Sequence, residues 1–165
     1  MPAPAVSSAD YRTVLGHFCT GVTVVAGLVG DQPAGFACQS FSAVSLDPPL
    51  VLICPGRGST SWPSIRSGGR FTVNVLAEDQ RTACAAFGSR TGAKFDAVSW
   101  SAGPDGGVRI DGALAWVDCD LERIHDGGDH EIVVGRVREL AVERTARPLL
   151  FYRGGFELDV AGVDT

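Results

Sequence analysis

Three short stretches hold the residues best able to do chemistry. The first is Ser59-Thr60-Ser61, followed at once by Trp62 and a helix-length segment. Hydroxyls and unpaired backbone N–H groups at a helix start make a seat for phosphate, and Arg57 nearby would add a charge-assisted contact. Plain helix capping is the other reading of the same residues. The second stretch is Asp126-Gly127-Gly128-Asp129, bracketed by His125 and His130. Two imidazoles facing each other beside two carboxylates at a hairpin mouth could in principle ligate a metal. No further ligand is fixed by the spacing, so no metal is expected, and a single functional histidine at a pocket rim is the competing use. His17 falls in a helical segment, where a surface or capping role is the default.

The third stretch runs from Gly35 to Pro49 and carries no charge before Asp47. A strand made only for burial is richer in Val, Ile and Leu. Its small residues let a flat ligand approach the backbone, while Gln39, Ser40 and Ser42 offer uncharged hydrogen bonds. A half-buried strand with a polar outer face has the same pattern, and composition alone does not separate the two.

Other chemistries lack their residues. No phosphate-binding Walker loop is present, and no Gly-x-Gly-x-x-Gly joins a strand to a helix. Ser40 and Ser42 lie outside any strained Gly-x-Ser-x-Gly turn, so a serine hydrolase is not supported. The five cysteines, Cys19, Cys38, Cys54, Cys84 and Cys119, are odd in number and widely spaced. They form no Cys-x-x-Cys pair, and free thiols in a reducing cytoplasm are expected. Net charge is −5, with Lys and Arg scattered singly, so there is no basic stripe for nucleic acid. A 45% hydrophobic and 20% charged composition over 165 residues fits one globular domain. The N-terminus has no basic region leading into an apolar core, and the longest apolar runs, such as 50–54, are strand-sized. A cytoplasmic protein without membrane contact is expected.

These segments need elements to position them. Residues 1–7 and the end of the chain from 157 read as flexible tails. Ser8 is placed to cap a helix from Ala9 to about Cys19, with Tyr11, Val14, Leu15 and Phe18 as its apolar face. A β-branched run, 22–29, leads through Gly30-Asp31-Gln32-Pro33 into the small-residue strand. Pro48-Pro49 cannot lie inside a central strand, and so separates it from a buried strand at 50–54. A short helix containing Trp62 and Ile65 follows, then a strand at 70–76 with Phe71, Val73 and Val75 on one face and Thr72 and Asn74 on the other. A helix is expected over 78–87, a loop-rich region over 89–111, and strands at 113–124, 131–142 and 149–152. No repeat or linker appears. Strands arriving in hairpins rather than in βαβ units favour a mostly β, closed antiparallel barrel with a few short helices.

Taken in order, five motifs resemble the short-chain flavin reductases, the reductase components of two-component flavin-dependent monooxygenases. They are Phe18-Cys-Thr-Gly-Val-Thr-Val-Val; Gly35-Phe-Ala-Cys-Gln-Ser-Phe with Ser45-Leu-Asp-Pro-Pro-Leu-Val; Arg70-Phe-x-Val-Asn-Val-Leu; Gly128-Asp-His; and Pro148-Leu-Leu-Phe-Tyr-Arg-Gly. The wording is especially similar to actinobacterial members of steroid catabolism or antibiotic biosynthesis. The resemblance implies a single split β-barrel domain of the FMN-binding, Greek-key type, usually a homodimer with sites near the subunit interface. It also implies NADH-dependent reduction of free FAD or FMN, the reduced flavin leaving for a partner monooxygenase. By family position Pro33, Ala34, Gly35, Phe36, Ala37, Gln39 and Ser40 would lie along the flavin ring and ribityl chain. Cys54, Pro55, Ser59, Thr60 and Ser61 would hold its phosphate end, and Phe87 and Gly88 would complete the pocket. His130 would position the nicotinamide, with proton delivery as its other possible role, and Phe151, Tyr152, Arg153 and Gly154 would contact the dinucleotide. A tightly held flavin, as in pyridoxamine-phosphate-oxidase-like enzymes, or a non-enzymatic flavin- or heme-binding module is the rival reading.

Overall fold

In the computed structural model, which describes residues 5–156, the chain runs in order through short helices and antiparallel strands. It begins with α1 (Ser8–Leu15), β1 (Thr20–Gly21), β2 (Thr23–Val29), β3 (Gln32–Cys38), β4 (Ser42–Leu46) and β5 (Pro49–Ile53). Next come α2 (Trp62–Gly68), β6 (Arg70–Val75), α3 (Arg81–Gly88) and a 3₁₀ turn (Lys94–Ala97). The last elements are β7 (Trp100–Ala102), β8 (Val108–Ile110), β9 (Ala115–Gly127), β10 (His130–Val142) and β11 (Leu150–Phe151).

Seven of the strands form one sheet in the order β3-β2-β6-β9-β10-β5-β4. Its two edges, β3 and β4, are consecutive in the chain and joined only by residues 39–41. Laid flat, seven strands would separate those edges by about 29 Å, whereas the link can reach only about 15 Å. The sheet must therefore roll up. No ladder joins β3 to β4 among the described residues, so the roll is split along this line rather than closed. That corrects the closed barrel expected from the hairpin pattern and agrees with the split form that the resemblance implies.

Rolling buries both faces of β2 and β6. Inside lie Val25, Phe36, Val51, Ile53, Phe71, Val73 and Val133, with Trp62 and Ile65 of α2 as a plug. On the outside of β2, a second core gathers Val24, Ala26, Leu76, Phe87, Val108, Ile110 and Leu149. Burying a side chain such as Phe71 fully is worth about 1.5–3 kcal/mol. Thr72 and Asn74, read from the sequence as a polar face, are the pins that hold the second layer. Asn74 Nδ2 donates to Val24 O (3.3 Å) and Val108 O (2.9 Å), and its Oδ1 accepts from Ile110 N–H (2.9 Å). Thr72 Oγ1 accepts from Val108 N–H at 3.0 Å and donates to Asp118 at 2.6 Å. The expected loop over 89–111 therefore contains the β7–β8 hairpin, held by side chains from a strand some 35 residues earlier.

Other boundaries move as well. α1 is capped by Ser7, whose Oγ accepts from Asp10 N–H (3.0 Å), and it stops at Leu15. Tyr11, Val14 and Leu15 of its apolar face, with Phe18 just beyond it, are all exposed. Helix α3 starts at Arg81 because residues 77–79 are already committed elsewhere. Glu78 N–H bonds Arg147 O at 2.9 Å, and Ala77 bridges to Pro148. Residues 1–4 and 157–165, expected as tails, lie outside the described residues.

At Gly135, where the β9–β10 register shifts, an added Cβ would sit 2.5 Å from Phe71 Cζ and 3.1 Å from Cys119 Cβ. Gly135→Ala is expected to cost about 1–3 kcal/mol by overpacking, read as a lower urea midpoint at unchanged m-value.

Candidate functional site

β3 and the 54–61 segment run side by side, and a polar basin of about 510 Å³ opens next to them. Pro33, Ala34 and Gly35 form one wall, Thr60, Ser61 and Ser64 another, and the 90–100 segment a third. Two cations from that third wall, Arg90 and Lys94, have no counterpart in the sequence reading. Lys94 Nζ donates to Gly35 O (3.1 Å) and to Ser61 Oγ (3.2 Å), which uses two of its three donors. Partial burial of this ammonium pushes its pKa below that of an ordinary lysine. Arg90 faces the same loop: its Nη2 lies 3.5 Å from the position a Cβ would take at Gly58. Asp96 also lines the basin, so its charged lining is two cations and one carboxylate, and with the hydroxyls and backbone this suits a phosphate or pyrophosphate tail.

The three hydroxyls divide their work. Ser59 Oγ accepts from Trp62 N–H (3.1 Å) and so serves as a helix cap. Thr60 and Ser61 line the basin. The phosphate contact expected of Arg57 is not made. Its guanidinium turns the other way, donating to Gly128 O (2.9 Å) and to Asp126 (2.5 Å).

A second concavity, of about 910 Å³ and mainly apolar, lies across the split. Gln39, Ser40 and Phe41 line it with Tyr11, Phe18, Phe151, Arg153 and Gly154. Ser40 closes the split at this point. Its Oγ accepts from Cys54 N–H (3.0 Å) and donates to Cys54 O (3.2 Å), tying the 39–41 link to the end of β5. Of the expected flavin residues, Pro33, Ala34, Gly35, Thr60 and Ser61 thus line the first basin, and Gln39 and Ser40 the second.

Several predicted residues sit behind the surface rather than on it. Phe36 is in the core, edge-on to Trp62, and Phe87 is buried beneath β3. A Cβ at Gly35 would fall 2.9 Å from Phe87 Cε1 and 3.2 Å from Phe95 Cζ. That aromatic floor alone already requires a glycine there. Ala37 is partly buried on the same side as Phe87. Gly88 ends α3 in the open, and Tyr152 meets His17 edge-on at 6.4 Å. Pro55 O accepts from Glu131 N–H at 2.9 Å.

His130 opens β10 and bridges to Gly56, with its Nε2 3.6 Å from where a Gly56 Cβ would be. Its Nδ1 lies 2.7 Å from Asp129 Oδ1, and that contact holds the Asp129 carboxyl below the usual range. The expected facing of His125 and His130 does not occur. His130 opposes Gly127, and His125 opposes Ile132. Among the described residues no group of three or more His, Cys, Asp or Glu side chains could hold a metal ion. Nor is any helix among them long and apolar enough to cross a membrane.

A split antiparallel barrel with a cationic basin beside a small-residue edge strand defines a domain for a flat ring with an anionic tail. The chain belongs to the flavin reductase family: the family model described as "Flavin reductase like domain" matches residues 15–157. It is 53% identical over 154 residues to the reductase subunit HsaB of a flavin-dependent monooxygenase from Rhodococcus jostii, covering 93% of this chain and 79% of that one. The crystal structure of nitrilotriacetate monooxygenase component B from Mycobacterium thermoresistibile superposes with a TM-score of 0.89 at 50% identity, covering 94% of this chain and 88% of that one. The Streptomyces globisporus NADH:FAD oxidoreductase SgcE6, solved with NAD and FAD fragments, gives a TM-score of 0.87 at 36% identity, covering 98% and 100%.

The depressed pKa of Lys94 sets a direction for pH. Its charge is lost at lower pH than that of an exposed lysine, and with it the attraction for a phosphate tail. The dissociation constant for FMN, measured by fluorescence quenching, is expected to rise as pH climbs from neutral toward the ordinary lysine range. Lys94→Met is expected to bind FMN about tenfold more weakly and to lose that slope, while riboflavin binding shows no such slope in either protein.

Proposed function

We propose that this protein is an NADH-dependent flavin reductase that reduces free FAD or FMN and releases the product to a partner monooxygenase. The observation that carries the reading is the Lys94–Ser61–Gly35 contact, which sets a cation and a hydroxyl against the small-residue edge strand. A cation and a hydroxyl held against β3 support an anion seat beside a surface that a flat ring can lie on. Family membership and the relatives' names support a diffusible flavin over a tightly held one.

In this reading hydride passes from the nicotinamide C4 of NADH to N5 of the flavin, with one proton taken up from solvent. The chain contributes no nucleophile and needs none. Its task is to hold two flat rings in contact, with reacting atoms about 3–3.5 Å apart. Thr60, Ser61, Arg90 and Lys94 hold the phosphate end of the flavin, and backbone N–H groups of β3 face its ring. Gln39 and Ser40 extend the flavin site into the apolar basin, where Phe151, Arg153 and Gly154 receive the dinucleotide. His130 positions the nicotinamide from the hairpin tip. The test is steady-state NADH oxidation with FAD, FMN and riboflavin at equal concentration. His130→Ala is expected to lower the rate about tenfold or more while flavin affinity stays within about twofold. An unchanged rate removes His130 from the site.

The working form in this reading is a homodimer. Phe18 is 78% exposed beside the exposed Tyr11, Val14 and Leu15, an apolar face that a monomer leaves in water. It adjoins the apolar basin, so a second copy seated there would help wall the dinucleotide site. Sedimentation velocity is expected to give a dimer for the wild type and a shift toward monomer for Phe18→Asp.

A further inference from the structure

A two-residue hairpin tip containing glycines is a poor place from which to position a ring. Gly128 adopts φ +77°, and both Asp126 and Asp129 are largely in solvent. His130 nonetheless has one defined placement over Gly56, and the contacts around it explain why. At the root of the hairpin, Glu131 is nine-tenths buried and accepts from Trp62 Nε1 (2.7 Å) and Arg66 Nη1 (2.8 Å). At the tip, Arg57 makes three contacts with one planar group. Its Nε reaches Gly128 O (2.9 Å), its Nη2 reaches Asp126 (2.5 Å), and its Nη1 lies 3.5 Å from Glu131 Oε1. Arg57 is itself fixed, since its backbone N–H donates to Asp129 O at 2.9 Å. One guanidinium thus spans the turn on both sides of His130.

We propose that Arg57 is the positioning residue for His130, a staple that locks the 126–130 turn to the flavin-binding segment. The proposal rests on the reading of His130 as the nicotinamide-side group. Glu131, Trp62 and Arg66 hold the root of the hairpin without Arg57, so losing the staple loosens the tip alone. The 54–61 segment keeps its bonds through Pro55 and Ser59, so flavin binding is preserved. Lysine cannot replace Arg57: a point charge on a flexible stem cannot bond Asp126 and Gly128 O together in a fixed plane.

The test is anaerobic rapid mixing of NADH with the full-length protein and saturating FAD, followed by flavin bleaching. The proteins are wild type, Arg57→Lys, Asp126→Ala, His130→Ala and the double variant Arg57→Lys/His130→Ala. Arg57→Lys and Asp126→Ala are each expected to slow hydride transfer about tenfold, with melting temperature and FAD affinity at wild-type values. In the His130→Ala background, Arg57→Lys is expected to add nothing, because the residue it acts through is gone. Wild-type rates for both single variants beside a slowed His130→Ala overturn the staple and leave the role of His130 standing. Further slowing in the double variant also overturns it, since Arg57 then acts by another route. A wild-type rate for His130→Ala overturns the role of His130 and the staple with it.

Discussion

The structure depends on one short connection. Residues 39–41 join the two edges of a seven-stranded sheet, and three residues cannot span a flat one. The sheet is therefore compelled to roll, and Ser40 fastens the joint through both backbone groups of Cys54. Rolling creates the inner core and brings the edge strand β3 beside the 54–61 segment. It also leaves the line between β3 and β4 without a ladder. β3 lines one basin and the 39–41 link the other.

Buried polar groups fix the parts that carry no regular pattern of their own. Asn74 and Thr72 hold β8 against the sheet, and Glu131 joins α2 to the start of β10. Each such bond contributes only about 1 kcal/mol net, but leaving one partner buried and unpaired costs about 1–3 kcal/mol. That asymmetry makes these residues specific rather than strongly stabilising. They select one arrangement of the loops that present Lys94, Arg90 and His130.

Much of the fold is readable because its signals are local. The β-branched run of β2, the alternation in β6, the Asp-Gly-Gly-Asp turn and the helix at Trp62 all sit within a residue or two of where periodicity and turn chemistry put them. Apart from the ends of α1, two misses share one cause. The start of α3 is set by bonds from Glu78 to Arg147, and the β7–β8 hairpin by Asn74. Neither partner is near in sequence. In the site, Ser59 to Ser61 and the small-residue strand are legible from residue type. Lys94 is not, because a lone cation in a glycine-containing loop looks like any solvated one until the fold sets it against Gly35 O.

Residue order by itself determined which segments are strands, where the hairpins turn, and where hydroxyls, small residues and a turn-borne histidine fall along the chain. Those follow from backbone preferences and side-chain period, which act over a few residues. Tertiary structure alone decided which groups face one another. It turned Arg57 from the phosphate to the hairpin, gave Gly35 an aromatic floor, separated His125 from His130, and brought Lys94 to Ser61. The histidines part through the register of their own hairpin, but the contacts of Arg57, Gly35 and Lys94 join residues tens of positions apart, and only the rolled sheet sets the distance between them.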